Sequence, residues 1–410
     1  MINPRTKSDP LFEHFVTASG PENGLADGRS NAGLFAENQS LSEFENRALR
    51  SIKKSFSCED SKTLYQEILM ASDKELDSAE EDLAATVFSD RQRVFDFSQD
   101  FLSKIDASAG IKKCFSQAIE EVRTEVFIYP CFPPVDFVFA TLSAEHERSK
   151  DDLLPLAAAS LYYYIGVALY DDVIDHDLGT TWSGHSTEHV GLTAIGVFAG
   201  LPAKIFQHYY AKPNDELMYA KLSHIVLELI YYQAVGQYQD LEIDLTHNEL
   251  PQISEQTSAL KVGTTGGLTG RLVSEFLKFP DAVARHFIDY CTNMYTAMQI
   301  SSDIFDIWSK PVSPDFTNAT VTLPIAYTFL SLPEEERIVF KRKLELKNAS
   351  MEHHNDLRQT IEKTNAFLYS LAKAETYRQK AFMSLLYLEE AGLPISYLRY
   401  FTKVTAICKD

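Results

Sequence analysis

The sequence has no surplus of positive charge. Its 410 residues include 38 lysines and arginines against 58 aspartates and glutamates, which gives a formal net charge of −20. Proteins that bind nucleic acids carry basic patches that release counterions from the phosphates, so we exclude nucleic acid as a partner. Most of the carboxylates have a simple role in solubility, and only a few need belong to a binding site.

Cysteines are few and scattered. There are five of them, and no two form a CxxC pair: Cys58, Cys114, Cys131, Cys291 and Cys408. An odd number without close pairs predicts neither a disulfide framework nor a zinc site. We therefore expect a reducing, cytoplasmic setting.

A signal peptide and a membrane span are also not predicted. The N-terminal segment MINPRTKSDPLFEHF has no apolar core of the kind that signal peptides contain. The apolar stretch 153–170 approaches membrane-spanning length, but it contains Pro155 and Gly166 and runs directly into Asp171 and Asp172. We interpret it as a buried core helix and predict no stable membrane insertion.

Runs of alternating β-branched residues, which would build a sheet, are missing as well. Most of the chain after Gly110 instead shows helical periodicity, interrupted by clusters of proline and glycine. Long apolar helices of this kind bury one another in a bundle. We therefore predict an all-α protein with a flexible arm at 1–40, a helical extension at 41–110 and a large helical domain at 111–410.

The segment LYDDVIDHD places three carboxylates at the end of the apolar helix. Asp171 and Asp175 are four residues apart and share a helix face, with Asp172 beside them. Such carboxylates repel one another and oppose the helix dipole unless a cation such as Mg²⁺ neutralises them. The alternative is an acidic helix end that faces water. The apolar residues before the cluster favour the metal site.

A second acidic segment, QISSDIFDIW, occurs later in the chain. Asp303 and Asp306 share a helix with Gln299, which alone would be a weak signal. Two aspartate-bearing helices that face each other across a bundle, however, can hold several Mg²⁺ ions against a diphosphate. The pair of motifs therefore predicts a metal-dependent site.

Four motifs in a fixed order make residues 150–330 resemble the trans-isoprenyl diphosphate synthase superfamily. They are DDVID at 171–175, GQYQDL at 236–241, QISSDIFD at 299–306 and TVTLP at 320–324. The resemblance implies the isoprenoid synthase (class I terpenoid synthase) helical bundle and an allylic isoprenyl diphosphate as substrate. It also implies a cluster of three Mg²⁺ ions and a homodimer.

The same resemblance implies roles for individual residues. Asp171, Asp172 and Asp175 are expected to be catalytic and to bind metal, together with Asp303 and Asp306. The expected substrate-binding residues are Gln237, Asp240, Lys261, Thr264, Thr265, Arg271, Gln299, Lys310, Arg399, Tyr400 and Tyr164. The Arg399 and Tyr400 pair is similar to one common in class I terpene cyclases.

Several cations of the superfamily pattern are missing. The stretch HDLGTTWSGHST after the first motif contains no arginine, and EVFIYPCFPPVDF lacks the Gly-Lys-Arg segment. Thr264 and Thr320 occupy positions where lysines are expected, and Ser302 replaces an aspartate of the second motif. A chain-elongating enzyme must hold two diphosphates, which requires cations. This chain is equipped for one diphosphate.

These features favour a class I terpene cyclase, which ionises an allylic diphosphate with Mg²⁺, cyclises the carbocation and releases diphosphate. Farnesyl diphosphate is the preferred substrate, geranylgeranyl diphosphate is the next choice, and a humulene-type sesquiterpene is the suspected product. A chain-elongating isoprenyl diphosphate synthase, a non-catalytic subunit of a synthase and a protein-tailoring prenyl transferase stay open as alternatives. The aromatic residues considered as stabilisers of the cation are Tyr162, Tyr163, Tyr164, Tyr231, Tyr232, Phe276 and Tyr295.

Overall fold

The computed structural model describes residues 77–405, apart from 128, 143–148, 212–215, 248, 309–311 and 347–349. The arm predicted at 1–40, residues 41–76 of the predicted extension and Lys310 lie outside the described residues. Within the described part of the chain the regular structure is helical and contains no strand. The all-α prediction is therefore confirmed.

The α-helices form a bundle in which long central helices are surrounded by shorter ones. In chain order they are α1 Ser78–Lys104, α2 Ala109–Val126, α3 Pro133–Phe139, α4 Lys150–Ile174, α5 Thr187–Ile195, α6 Leu201–Tyr210, α7 Glu216–Glu242, α8 Leu250–Ser258, α9 Thr264–Leu277, α10 Asp281–Trp308, α11 Pro314–Asn318, α12 Leu323–Ser331, α13 Glu334–Leu344, α14 Met351–Lys363, α15 Ala366–Glu390 and α16 Ser396–Val404. Two π-helical turns, Gly196–Gly200 and Ala259–Gly263, lead into α6 and α9.

Helix α1 is tied to the bundle by buried polar contacts. The guanidinium of Arg91 donates to both carboxylate oxygens of Asp136, at 2.8 and 2.6 Å, and both side chains are inaccessible to solvent. Arg91 also donates to the carbonyl oxygens of Val126 and Tyr129. The hydroxyl of Tyr162 donates to a backbone carbonyl of α1 at 2.8 Å. These contacts make the described part of the extension continuous with the bundle, and the proposed boundary at residue 110 stays a prediction.

Helix α4 lies at the centre of the bundle. Ser149 caps its N-terminus and forms a capping box with Asp152, and just over half of the helix residues are buried. At Gly166 an added Cβ would lie 2.4 Å from the backbone nitrogen of Phe198, so the glycine lets α4 contact the first π turn. Among the described residues, two helical stretches, Lys150–Ile174 and Thr187–Tyr210, are long and apolar enough to cross a membrane, with 72% and 44% of their apolar windows buried in the protein.

Helices α10 and α15 run antiparallel along each other. His286 stacks on Tyr387 at one end, with ring centroids 3.8 Å apart, and Trp308 meets Phe367 at the other end, at 4.9 Å. On the opposite side of α10, an added Cβ at Gly266 of α9 would lie 2.5 Å from a backbone oxygen. The glycine-rich segment of α9 therefore serves close packing against α10, which positions the acidic end of α10.

Candidate active site

The first acidic motif meets α7 and the second π turn at the end of α4. Lys261 lies between two carboxylates, with its Nζ 2.9 Å from Asp171 Oδ1 and 2.8 Å from Asp240 Oδ2. Gln237 donates from Nε2 to Asp171 Oδ1 at 2.7 Å. Burial lowers the pKa of Lys261, but the charges of Asp171 and Asp240 outweigh it and raise that pKa above its usual value. Four residues expected from the sequence are thus in direct contact.

The other two carboxylates of this motif lack such compensation. Enclosure by protein atoms, followed by the charges of Asp171 and Asp177, raises the pKa of Asp172 to about 7, although its side chain reaches solvent. Partial burial and the charge of Asp171 raise the pKa of Asp175 to about 6, against a smaller opposing effect of Lys261. The end of α4 therefore holds more negative charge than its surroundings balance.

The second acidic motif is more deeply buried. Asp303 is 7% exposed and accepts a hydrogen bond from Gln299 Nε2 at 2.8 Å. Burial raises the pKa of Asp303 to about 7, and the charges of Asp240 and Asp306 add to the effect. Asp315 in α11 has its pKa raised well above the usual value by burial and then by the charges of Asp303 and Asp306. The carboxylates of α4, α7, α10 and α11 thus share one electrostatic environment.

A glycine brings α7 and the second π turn together. A Cβ at Gly236 would lie 2.8 Å from the backbone nitrogen of Lys261. The backbone of α7 therefore touches the π turn, and Gln237 and Asp240 reach the same side as Lys261. Lys261 itself belongs to the π turn Ala259–Gly263, which precedes α9.

A cavity of about 730 Å³ extends from the acidic residues into the bundle. Asp171, Lys261, Gln299 and Asp306 line it at the acidic end, and Thr265 lies in its wall. The remaining wall is mostly apolar, and its aromatic members are Tyr129, Phe132, Tyr164, Tyr295 and Phe305. The cavity thus joins an anionic mouth to an apolar, aromatic interior.

Only some of the aromatic residues considered from the sequence reach this cavity. Tyr164 lies in its wall, edge-on to Phe132 with ring centroids 5.1 Å apart, and Tyr295 lies there too. The hydroxyl groups of Tyr162 and Tyr163 instead donate to backbone carbonyls in the core. The others, namely Tyr231, Tyr232 and Phe276, are not in the cavity lining. Val167, just before the first motif, does line the cavity.

Several expected substrate-binding residues lie elsewhere. Arg271 forms an ion pair with Glu228 at 2.7 Å and is not in the lining. Arg399 pairs with Glu389 on the surface, and both Arg399 and Tyr400 line a different cavity. Thr264 is buried, and its hydroxyl donates to Gln233 at 2.8 Å. The structure therefore brings the motif residues together at one end of the cavity, but only some of them line it. The expected residues outside the lining are Asp172, Asp175, Gln237, Asp240, Asp303, Thr264, Arg271, Arg399 and Tyr400.

Two features of the site were not anticipated from the sequence. Asp315 joins the acidic group, and its place between the second acidic motif and TVTLP was an available signal. Glu375 and Arg378 of α15 form an ion pair in the cavity wall. They belong to a region outside the four motifs, and the sequence pattern contained no signal for them.

The donor set fits hard cations that a ligand helps to coordinate. Within the described residues no group of three or more His, Cys, Asp or Glu side chains encloses a metal ion unaided. The carboxylates are nevertheless crowded enough to raise one another's pKa values, and oxygen donors of this kind suit Mg²⁺. Gln237 Oε1 is also buried without a hydrogen-bond partner beside Asp171. An incoming ligand or its water could supply that partner.

Solved structures similar to this one include prenyl diphosphate synthases. A geranylgeranyl pyrophosphate synthetase from Pyrococcus horikoshii matches at 15% identity with a TM-score of 0.65, covering 80% of this chain and 99% of its own. A decaprenyl diphosphate synthase from Rhodobacter capsulatus matches at 16% and 0.64, covering 80% and 98%. A polyprenyl synthase from Caulobacter crescentus, complexed with calcium and isoprenyl diphosphate, matches at 17% and 0.65, covering 81% and 97%.

No protein-family model and no curated protein sequence matches the chain. The structural likeness, at identities this low, defines the fold: the described residues form the all-α bundle of the isoprenoid synthases. The activity must be argued from the site itself.

Proposed function

We propose that this chain is a class I terpene cyclase that ionises one allylic isoprenyl diphosphate and cyclises the resulting carbocation. The observation that supports this most directly is the cavity, which joins a mouth lined by Asp171 and Asp306 to an aromatic, apolar interior. The mouth suits a metal-bound diphosphate, and the interior suits a hydrocarbon chain. Farnesyl diphosphate is the proposed substrate, with geranylgeranyl diphosphate as the second choice.

The cations of the cavity support a single diphosphate. Among the described residues, those in the lining are Lys261 and Arg378. Lys261 bridges Asp171 and Asp240, and Arg378 is engaged in a bidentate pair with Glu375. A second polyanion requires its own set of charge-assisted hydrogen bonds. The lining offers no separate cluster of cations for one.

The chain's own residues divide the chemistry between the two ends of the cavity. Asp171, Asp175, Asp303 and their neighbours would hold Mg²⁺, which when bound supplies a Lewis acid for the departing diphosphate. Lys261 is positioned to stabilise negative charge at the same end. The rings of Tyr164 and Tyr295 face the cavity, where their π systems stabilise a carbocation without bonding to it. The apolar wall excludes water from that cation.

Chain elongation is the second candidate. The structural neighbours named above are prenyl diphosphate synthases, which favours this activity by fold. In that case isopentenyl diphosphate would enter the same cavity and Arg378 would have to exchange Glu375 for a phosphate. The composition of the lining argues for the cyclase.

Product analysis separates the two activities. Purified protein is incubated with farnesyl or geranylgeranyl diphosphate and Mg²⁺, with and without isopentenyl diphosphate, and the extract is examined by gas chromatography with mass detection. A cyclic product formed without isopentenyl diphosphate, and lost in EDTA or in Asp171→Ala, is the result we expect. A longer prenyl diphosphate formed only with isopentenyl diphosphate would establish the elongating enzyme. No turnover of either substrate would point to the non-catalytic subunit.

We also propose that two copies associate through α7. Exposed apolar side chains follow one face of this helix, namely Leu227, Tyr231, Tyr238 and Leu241, each at least 60% exposed. Such a continuous apolar stripe on a monomer is typical of an interaction surface. Because α7 also carries Gln237 and Asp240, association would brace the site.

The association is tested by sedimentation velocity at a range of concentrations. We expect a dimer for the unmodified chain and a monomer for Leu227→Glu/Tyr231→Glu. Leu346→Glu, at an exposed apolar position on another part of the surface, serves as the control and should leave the dimer intact. A monomeric unmodified chain would refute the proposal.

A further inference from the structure

A second cavity, of about 950 Å³, lies between α1, α15 and α16. Its lining is rich in charged side chains that form ion pairs across it. Lys403 of α16 pairs with Glu80 of α1 at 2.6 Å, and Arg399 pairs with Glu389 at 2.8 Å. These charged side chains share the lining with apolar ones such as Leu83 and Phe382, and they give the second cavity groups that bind water.

The two cavities share the Glu375–Arg378 ion pair in their walls. Arg378 donates to both carboxylate oxygens of Glu375, each at 2.7 Å, and Gln379 donates to the same carboxylate at 3.2 Å. The Glu375 side chain is inaccessible to solvent and that of Arg378 is 11% exposed. The bidentate pair is therefore a fixed, buried partition between a polar space and an apolar one.

We propose that the Glu375–Arg378 ion pair is a water seal for the reaction cavity and thereby determines whether the product is a hydrocarbon or an alcohol. The inference rests on the proposed function, because only a carbocation makes water entry consequential. If water enters, its oxygen donates an electron pair to the cationic carbon and a C–O bond forms. The oxonium so produced loses a proton to a second water, which leaves an alcohol.

The seal requires the volume of the two side chains and not their charges, which gives a matched pair of variants. Glu375→Ala/Arg378→Ala removes the partition without leaving an unpaired buried charge. Glu375→Leu/Arg378→Met removes the same charges but keeps most of the bulk. Lys403→Met removes an ion pair that lines the second cavity alone and serves as the control.

Products formed in H₂¹⁸O report the seal during turnover. We expect the ¹⁸O-labelled fraction of the product to rise several-fold in the double alanine variant and to stay near the unmodified level in Glu375→Leu/Arg378→Met and Lys403→Met. This fraction does not depend on how much enzyme is active. Equal labelling of the two double variants would assign the effect to the lost charges and overturn the seal.

A second measurement requires no turnover, so it tests the seal even if the protein does not have the proposed activity. Cys131 is a buried thiol in the wall of the first cavity, whereas Cys291 is buried outside it. Alkylation by iodoacetamide, followed by peptide mass spectrometry in the presence of Mg²⁺ and inorganic diphosphate, should accelerate several-fold at Cys131 in the double alanine variant alone.

Unchanged labelling of Cys131, or a parallel rise at Cys291 that marks general loosening, would overturn the seal. If the double alanine variant does not fold, Glu375→Gln/Arg378→Gln takes its place, because glutamine is shorter than arginine and opens a narrower gap. We then expect smaller increases in the ¹⁸O-labelled fraction and in the alkylation rate of Cys131. A chain that turns over neither diphosphate would refute the proposed function, while the Cys131 result would still decide whether the partition excludes solvent.

Discussion

Two buried aspartates of this protein differ in what surrounds them. Asp136 is 4% exposed and Asp303 is 7% exposed, and burial raises the pKa of both. Asp136 receives a bidentate guanidinium from Arg91, whereas Asp303 accepts a hydrogen bond from the neutral amide of Gln299. The first carboxylate is balanced within the fold. The second lies among further acids, and it is one of the carboxylates that we propose as Mg²⁺ ligands.

The largest effect should come from breaking the balanced pair. Arg91→Met leaves Asp136 buried without its partner and also strands the carbonyl oxygens of Val126 and Tyr129. We expect the free energy of unfolding to fall by about 3–5 kcal/mol, measured by urea denaturation. The variant Arg91→Met/Asp136→Leu should recover much of this loss. If Arg91→Met is as stable as the unmodified chain, Asp136 does not depend on Arg91, and the contrast drawn between Asp136 and Asp303 is wrong.

Replacing Asp303, the aspartate without a cationic partner, should have the opposite effect: activity should fall while stability does not. Asp303→Asn is expected to lower kcat/KM by roughly a hundredfold, because one of the carboxylates proposed to hold Mg²⁺ is lost. Without metal or ligand, its unfolding free energy should not decrease. Asp281→Asn, at an exposed position on the same helix, should change neither quantity. A loss of stability in Asp303→Asn would place Asp303 in the same class as Asp136.

A smaller effect is expected in the pH dependence of stability. Asp303, with its folded pKa of about 7 against an ordinary value of 3.8, holds its proton in the folded state where the unfolded chain has lost it. Stability of the ligand-free protein should therefore decrease as pH rises from about 4 to about 7, the interval between the unfolded and folded pKa values of Asp303. Thermal melting at several pH values checks this. The slope should be shallower in Asp303→Asn, and a slope of opposite sign would contradict the expectation.

The site was predictable from the sequence where helix geometry alone determines the outcome. Asp171 follows a long apolar helix, so its place at the end of a buried α4 follows from that pattern. Gln237, Asp240 and Lys261 were expected beside it and are in contact with it or with one another. Helix periodicity was sufficient for Asp171, whereas Gln237, Asp240 and Lys261 were expected there only because the sequence resembles the superfamily.

The other residues of the site could not be predicted, because their positions depend on the path of the chain in three dimensions. Arg399 was expected at the site, but α16 directs it toward the second cavity, where it pairs with Glu389. Glu375 and Arg378 reach the first cavity because α15 packs along the whole of α10. Side chains on helices far apart in sequence carry no local signal of this meeting.

The contact at Gly236 also constrains how this sequence can evolve. A single methyl group there would collide with the backbone of Lys261, so any replacement displaces the π turn before it alters a reactive group. Among the residues that the structure describes, the exposed side chains of α7 have no such backbone neighbour, whereas a side chain at Gly236 would meet the backbone of Lys261. We expect descendants of this chain to change product by exchanging cavity-wall residues, while this glycine persists through the lineage.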